Sequence, residues 1–153
     1  MINLAAMCSC LMGSAVAVAA PDLIVEQFAR NGEISERDGR FYVPVTVKVK
    51  NQGNKAATSF KLAVDYWRNG QQYAAPFSVS GQSSLWYPFA PSLASGKSIS
   101  FQGNVIIRID AGATGTIFKV EADSCSGDEL MPEFCRIKEN DEGNNSRNLY
   151  VIF

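Results

Sequence analysis

Histidine is absent from this 153-residue chain, which removes the commonest metal ligand and the side chain most often used as a general base near neutral pH. Only carboxylates, Ser, Tyr and Lys remain for catalysis, and they form no readable constellation. A non-enzymatic protein without a cofactor is expected. A basic excess is also missing, since 14 Lys and Arg face 15 Asp and Glu. Phosphate neutralisation needs such an excess, so nucleic acid is set aside as a partner. Sustained helical periodicity is lacking as well. After residue 20 no segment keeps a 3.6-residue period over about ten residues, and Gly or Pro interrupts most candidates.

The first twenty residues, MINLAAMCSCLMGSAVAVAA, are uncharged and mostly apolar, and they end in the small residues that signal peptidase accepts. Residues 1–20 are read as a secretion signal cut near Ala20–Pro21, leaving a domain of 21–153 in the periplasm or outside the cell with no membrane insertion of its own. A retained anchor is the alternative, because the stretch approaches the ~20 residues that span a bilayer. The leader departs from the usual form in one respect, since the first basic residue is Arg30. Cys8 and Cys10 are read as apolar filler within it.

Beyond the leader, alternation dominates. In Phe41 to Lys50, Phe41, Val43, Val45, Val47 and Val49 share one face while Tyr42, Thr46, Lys48 and Lys50 share the other. Ser59 to Arg68 repeats the device, with Phe60, Leu62, Val64 and Tyr66 inward and Lys61, Asp65 and Trp67 toward water. Between them Asn51-Gln52-Gly53-Asn54 is a turn cluster in which Gly53 is expected to supply positive φ. Asn69-Gly70 is a strong hairpin signal, so Gln71 to Val79 should fold back as a single strand. With Asp22 to Arg30, Lys97 to Ile109, Thr116 to Asp123 and Arg147 to Phe153, seven strands are expected. The pattern is that of a seven-stranded antiparallel β-sandwich of immunoglobulin or fibronectin-III type. Pro44 removes a ladder donor, and is expected at a strand start, an edge or a bulge.

Four segments in order resemble the bacterial cell-adhesion-related domain family, CARDB. They are Pro21-Asp-Leu-Ile-Val25, Val45-Thr-Val-Lys-Val-Lys-Asn-Gln-Gly53, Leu93-Ala-Ser-Gly-Lys97 and Glu139-Asn-Asp-Glu-Gly-Asn-Asn-Ser146. The resemblance implies a seven-stranded immunoglobulin-like sandwich used as an accessory or adhesion module in exported proteins. The chain departs from the family pattern by inserted residues around 80–92 and 124–136.

Three sets of residues are candidates for function. Cys125 and Cys135 flank a short polar segment and are read as a structural disulfide, because an exported chain meets an oxidising compartment and the pair lacks C-x-x-C spacing. Glu121 to Glu142 concentrates eight carboxylates against Arg136 and Lys138. Asp123, Glu139, Asp141, Glu142, Asn144 and Asn145 could offer oxygens to Ca²⁺, although the spacing is not that of an EF-hand. The preferred reading leaves the carboxylates solvated or paired with nearby Lys and Arg, and Asn144 and Asn145 bonded to turn backbone, with no metal assigned. Trp86, Tyr87 and Phe89 either close one end of the sandwich or form an exposed anchor. They are the binding candidate. The function expected is a binding or adhesion module that contacts a protein or carbohydrate of the cell envelope, the alternative being a structural or assembly subunit of an envelope complex.

Overall fold

A computed structural model describes residues 19–83, 86–109, 112–123, 137–139, 141 and 143–153. The leader through residue 18 and the Cys125–Cys135 pair lie outside the described residues. Ten strands are described: β1 Leu23–Arg30, β2 Ser35–Arg37, β3 Arg40–Asn51, β4 Phe60–Arg68, β5 Gln71–Ala74, β6 Phe77–Val79, β7 Phe89–Ala90, β8 Ser98–Ile107, β9 Gly115–Ala122 and β10 Ser146–Ile152. They form two antiparallel sheets. The first runs β1-β3-β8-β6 with β2 on β3, and the second runs β10-β9-β4-β5 with β7 on β4.

The core follows from the alternation. Val43, Val45, Val47 and Val49 point inward from β3 and are fully buried, as are Phe60 and Leu62 of β4, Phe77 of β6 and Phe118 of β9. Each such side chain contributes roughly 1.5–3 kcal/mol by leaving water, so the facing stripes of the two sheets hold the layers together. The β3–β8 ladder runs unbroken from Phe41↔Ile107 to Lys50↔Ser98. Phe41, half-buried at one end of it, packs against Phe153 at a ring separation of 5.3 Å.

The strand count exceeds the seven expected for identifiable reasons. The Asn69-Gly70 hairpin forms with φ of 50° and 75°, but Gln71 to Val79 is two strands. Ala75 N still donates to Val64 O of the second sheet at 2.7 Å, whereas Pro76 O accepts from Ile106 N of the first at 2.9 Å. The chain therefore changes sheets between adjacent residues, where proline's missing N–H leaves no donor unsatisfied. The short strands β2 and β7 are the other additions.

Two further expectations can be compared with the fold. Pro44 lies inside β3 with no register shift on the β8 side. On the other side it falls between the pairing of β1, which ends at Val45, and that of β2, which starts at Tyr42, so its missing donor sits at a local break in the ladder as expected. Its carbonyl accepts from Asn31 N at 3.0 Å, just where β1 ends against β3. The ring fills the place that a continuing strand would have taken, and a Cβ on Gly32 would lie 3.0 Å from it. Gly53 does not have positive φ. It is needed for close approach, because a Cβ there would stand 2.5 Å from Ala20 O and 2.6 Å from Asp22 N.

Candidate functional site

The segment carrying the aromatic candidates runs along the outer edge of β4. Phe60 pairs with Ala90 and Lys61 with Phe89, and Leu62 N donates to Pro88 O at 2.8 Å. Gln82 brackets the same segment: its Nε2 donates to Phe89 O at 2.9 Å and its Oε1 accepts from Phe89 N at 3.0 Å. β5 then takes over the β4 edge, pairing from Asp65↔Ala74 to Arg68↔Gln71. The edge is thus shared by two short strands, and the rings are mounted on a hydrogen-bonded scaffold.

The three rings have different surroundings. Trp86 is 48% exposed and Phe89 47%, so neither plugs the sandwich. Tyr87 is half-buried and receives the Lys61 ammonium 5.6 Å from its ring centroid. Lys61 was expected to face water, but it is buried, because the returning segment covers the outer face of β4 there.

Trp86 lines a recess of about 240 Å³ together with Tyr66, Pro76, Ile106 and three arginines, Arg40, Arg68 and Arg108. Among the described residues no carboxylate lines it. The register explains the gathering. Phe41↔Ile107 sets Arg40, at the start of β3, beside Arg108, just past the end of β8, while the hairpin at the end of β4 supplies Arg68. Tyr66 forms part of the wall and is supported by Tyr73, with ring centroids 5.7 Å apart. The walls are apolar and the rim carries fixed positive charge, an arrangement suited to a group with an apolar body and a carboxylate or sulfate. The arginines were not singled out from the sequence. Their one local signal is that each borders an apolar strand, Arg40 at the start of β3, Arg68 at the end of β4 and Arg108 just after β8.

The acidic residues behave differently from expectation. Asp123 and Glu139 are buried at 4% and 8% exposure rather than solvated. Asn144 Nδ2 donates to the Asp22 carboxylate at 2.9 Å, and Asn145 is also buried. Asp141 is exposed, as expected of a solvated carboxylate, and its Oδ1 accepts from Gly143 N at 2.8 Å. Among the described residues, no three His, Cys, Asp or Glu side chains converge as a metal-binding group.

Two helix-free antiparallel sheets packed over an apolar core define an all-β sandwich domain, with a cationic aromatic recess at one end. The CARDB family model matches residues 20–149, and the chain belongs to the CARDB family. A search of curated proteins found no match. Among solved structures, a Bacillus subtilis lipoprotein aligns at 10% identity and a TM-score of 0.42, over 88% of this chain and 37% of its own. A β-glucosidase from Kluyveromyces marxianus aligns at 14% identity and a TM-score of 0.32, over 90% of this chain and 15% of its own. No helix among the described residues is long and apolar enough to cross a membrane.

Proposed function

We propose that this is an exported, non-catalytic binding module of immunoglobulin-like type that uses the Trp86 recess to hold an anionic group on a protein or carbohydrate of the cell envelope. The immunoglobulin-like reading is supported by sheet order: β1-β3-β8-β6 opposite β10-β9-β4 corresponds to the ABED and CFG sheets of the constant-type plan. The uncharged apolar leader supports export. The observation that carries the binding role is the exposed Trp86 beside three arginines in one recess. A rigid ring supplies apolar contact at low entropic cost, and guanidinium groups recognise carboxylate geometry.

Binding to immobilised acidic and neutral glycans and peptides tests the proposal. Acidic probes should be retained and neutral ones not. Trp86→Ala should weaken that retention by about 2 kcal/mol, as truncated aromatic anchors do, while leaving the denaturant midpoint nearly unchanged. Arg40→Glu with Arg108→Glu should abolish it. A midpoint lowered by the roughly 3–5 kcal/mol typical of an excavated core aromatic would place Trp86 in the core instead.

A structural or assembly role is favoured by a different surface. On β10 the outward side chains Tyr150 and Ile152 are 62% and 64% exposed, and Tyr150 pairs across the ladder with Ile117, itself exposed. Self-association that Tyr150→Lys eliminates and Trp86→Ala leaves intact would assign the chain to assembly.

A further inference from the structure

We propose that two copies of this domain pair edge to edge through β10, antiparallel about a two-fold axis at Tyr150. The pairing rests on the assembly reading of the Tyr150 surface, and it makes no use of the Trp86 recess. β10 forms one side of the second sheet, and among the described residues only β9 pairs with it. Ala122 N donates to Asn145 O at 2.9 Å and Phe153 N donates to Thr114 O at 3.0 Å, so odd-numbered positions turn their backbone toward β9. In an antiparallel ladder the direction alternates from residue to residue. Asn148, Tyr150 and Ile152 therefore turn their N–H and C=O groups outward, away from β9.

The other edges are each blunted, as sheet edges usually are in proteins that avoid pairing with themselves. β1 shifts register between Val25 and Gln27, and the Arg147 guanidinium covers its edge by donating to the carbonyls of Val25 and Glu26. β6 has three residues, and the outer side of β4 is divided between β7, of two residues, and β5, of four. β10 has seven residues, no proline and an unbroken register against β9. Its outward side chains, Asn148, Tyr150 and Ile152, carry no charge. Nor does Tyr150 shield the backbone. A Cβ on Gly115 would stand 3.0 Å from its hydroxyl and 3.2 Å from its Cζ, so the ring leans over β9 in the space that glycine leaves. Beside the strand, Arg30 lines a recess of about 210 Å³ with Tyr150, Val151 and Ile152.

A second copy is the partner that fits, because this edge is complementary to itself. With the axis at Tyr150, that residue faces its own counterpart and Asn148 faces Ile152 of the second copy. Each facing pair then exchanges N–H and C=O groups. No like charges meet along the strand, and a net charge of −1 adds little repulsion at a distance. The side chains are matched as well. Half-buried Trp67 lies one step beyond Tyr66↔Phe118, opposite Ile117, and Ile117 pairs with Tyr150. The axis joins two such rows into one apolar stripe across the combined sheet, with Ile117 and Tyr150, 43% and 62% exposed in the single copy, at its centre. Contact through one strand buries less than the ~1,200 Å² of a standard interface, so the dimer is a weak one.

Sedimentation of the full chain across a concentration series tests the pairing. A monomer–dimer equilibrium is expected, with a dissociation constant on the order of 10⁻⁵ M. Asn148→Pro removes an outward N–H while leaving the bonds to β9 and the Tyr150 side chain in place. It should weaken the dimer by about thirtyfold, because the axis removes one ordinary hydrogen bond from each half. Tyr150→Cys carries the test if the proline variant does not fold. Facing Cα atoms in such a pair stand about 5.5 Å apart, within reach of a disulfide. Mild oxidation should therefore give a covalent dimer that neither the parent nor Lys119→Cys forms. Trp86→Ala should dimerise as the parent does. The pairing is overturned by a chain that stays monomeric throughout, by loss of the dimer in Trp86→Ala, or by absence of the cross-link in Tyr150→Cys. Association lost in Tyr150→Lys but unchanged in folded Asn148→Pro would also overturn it, while leaving the assembly reading of the Tyr150 surface standing.

Discussion

Asn51→Ala should be the most destabilising polar substitution in this domain, at about 4 kcal/mol. Asn51 is fully buried at the end of β3, yet its amide makes four hydrogen bonds. Oδ1 accepts from Asp22 N and Gly53 N, each at 3.1 Å. Nδ2 donates to Lys55 O at 2.8 Å and to Leu93 O at 2.9 Å. One side chain therefore binds the approach to β1, the turn after β3 and the segment before β8. Truncation strands two donors and two acceptors, each costing roughly 1–3 kcal/mol if no water enters and less if one does. The expected loss is a large fraction of the 5–15 kcal/mol typical of a domain. Asn51→Asp should not rescue it, because a second oxygen would then face Lys55 O and Leu93 O. Urea denaturation of both variants measures the effect, and a loss below about 1 kcal/mol would show that the turn closes without the amide.

Gly103→Ala should cost about 3 kcal/mol, and the damage should be local to β6. Gly103 lies within β8, between Val45 of β3 and Val79 of β6. A Cβ there would stand 2.0 Å from Ser78 O and 2.8 Å from Val79 Cα. Both atoms are backbone, so no side chain can rotate away, and β6 must retreat. β6 has only three residues, and it carries the fully buried Phe77 into the core. Retreat therefore opens the core beneath it as well as breaking the ladder. Hydrogen exchange should accelerate at Ser80, whose N donates to Gln102 O at 3.1 Å, with less change at the β9–β10 ladder. Gly39→Ala offers a contrast. It has φ of +66° but open space around it, so only backbone strain applies, at about 1 kcal/mol. Comparable losses in the two variants would mean that β6 yields without disturbing the core.

The two glycines mark the boundary between what could be read locally and what could not. Period-two alternation is a property of neighbouring residues, so the inward stripe of β3 and the second half of β4 could be read directly from Val43 to Val49 and from Val64 and Tyr66. Asn69-Gly70 likewise encodes its own turn, because positive φ is a preference of those two residues. The four ordered CARDB segments were legible in the same way and are matched by the family as a whole. Gly53 and Gly103 could not be understood locally, since what excludes a Cβ is backbone contributed by residues 20–22 and 78–79.

The candidate sites fall on the far side of that boundary. Trp86, Tyr87 and Phe89 stood out as rings in a connection that would ordinarily be polar, but their exposure depends on pairing with β4. Arg40, Arg68 and Arg108 are ordinary strand-end charges until the register brings them to one recess. The acidic segment looked solvated because burial of a carboxylate depends on donors supplied from elsewhere. Leu23 N reaches Glu139 across 116 positions, and Ile137 N reaches Asp123 across 14. Residue types and their local spacing thus determined the strands, the turns and the family, because short-range sterics and one-sided burial act on adjacent residues. The tertiary structure alone decided which charges are buried and which converge, because solvation and electrostatic environment are set by residues that meet only when the two sheets close.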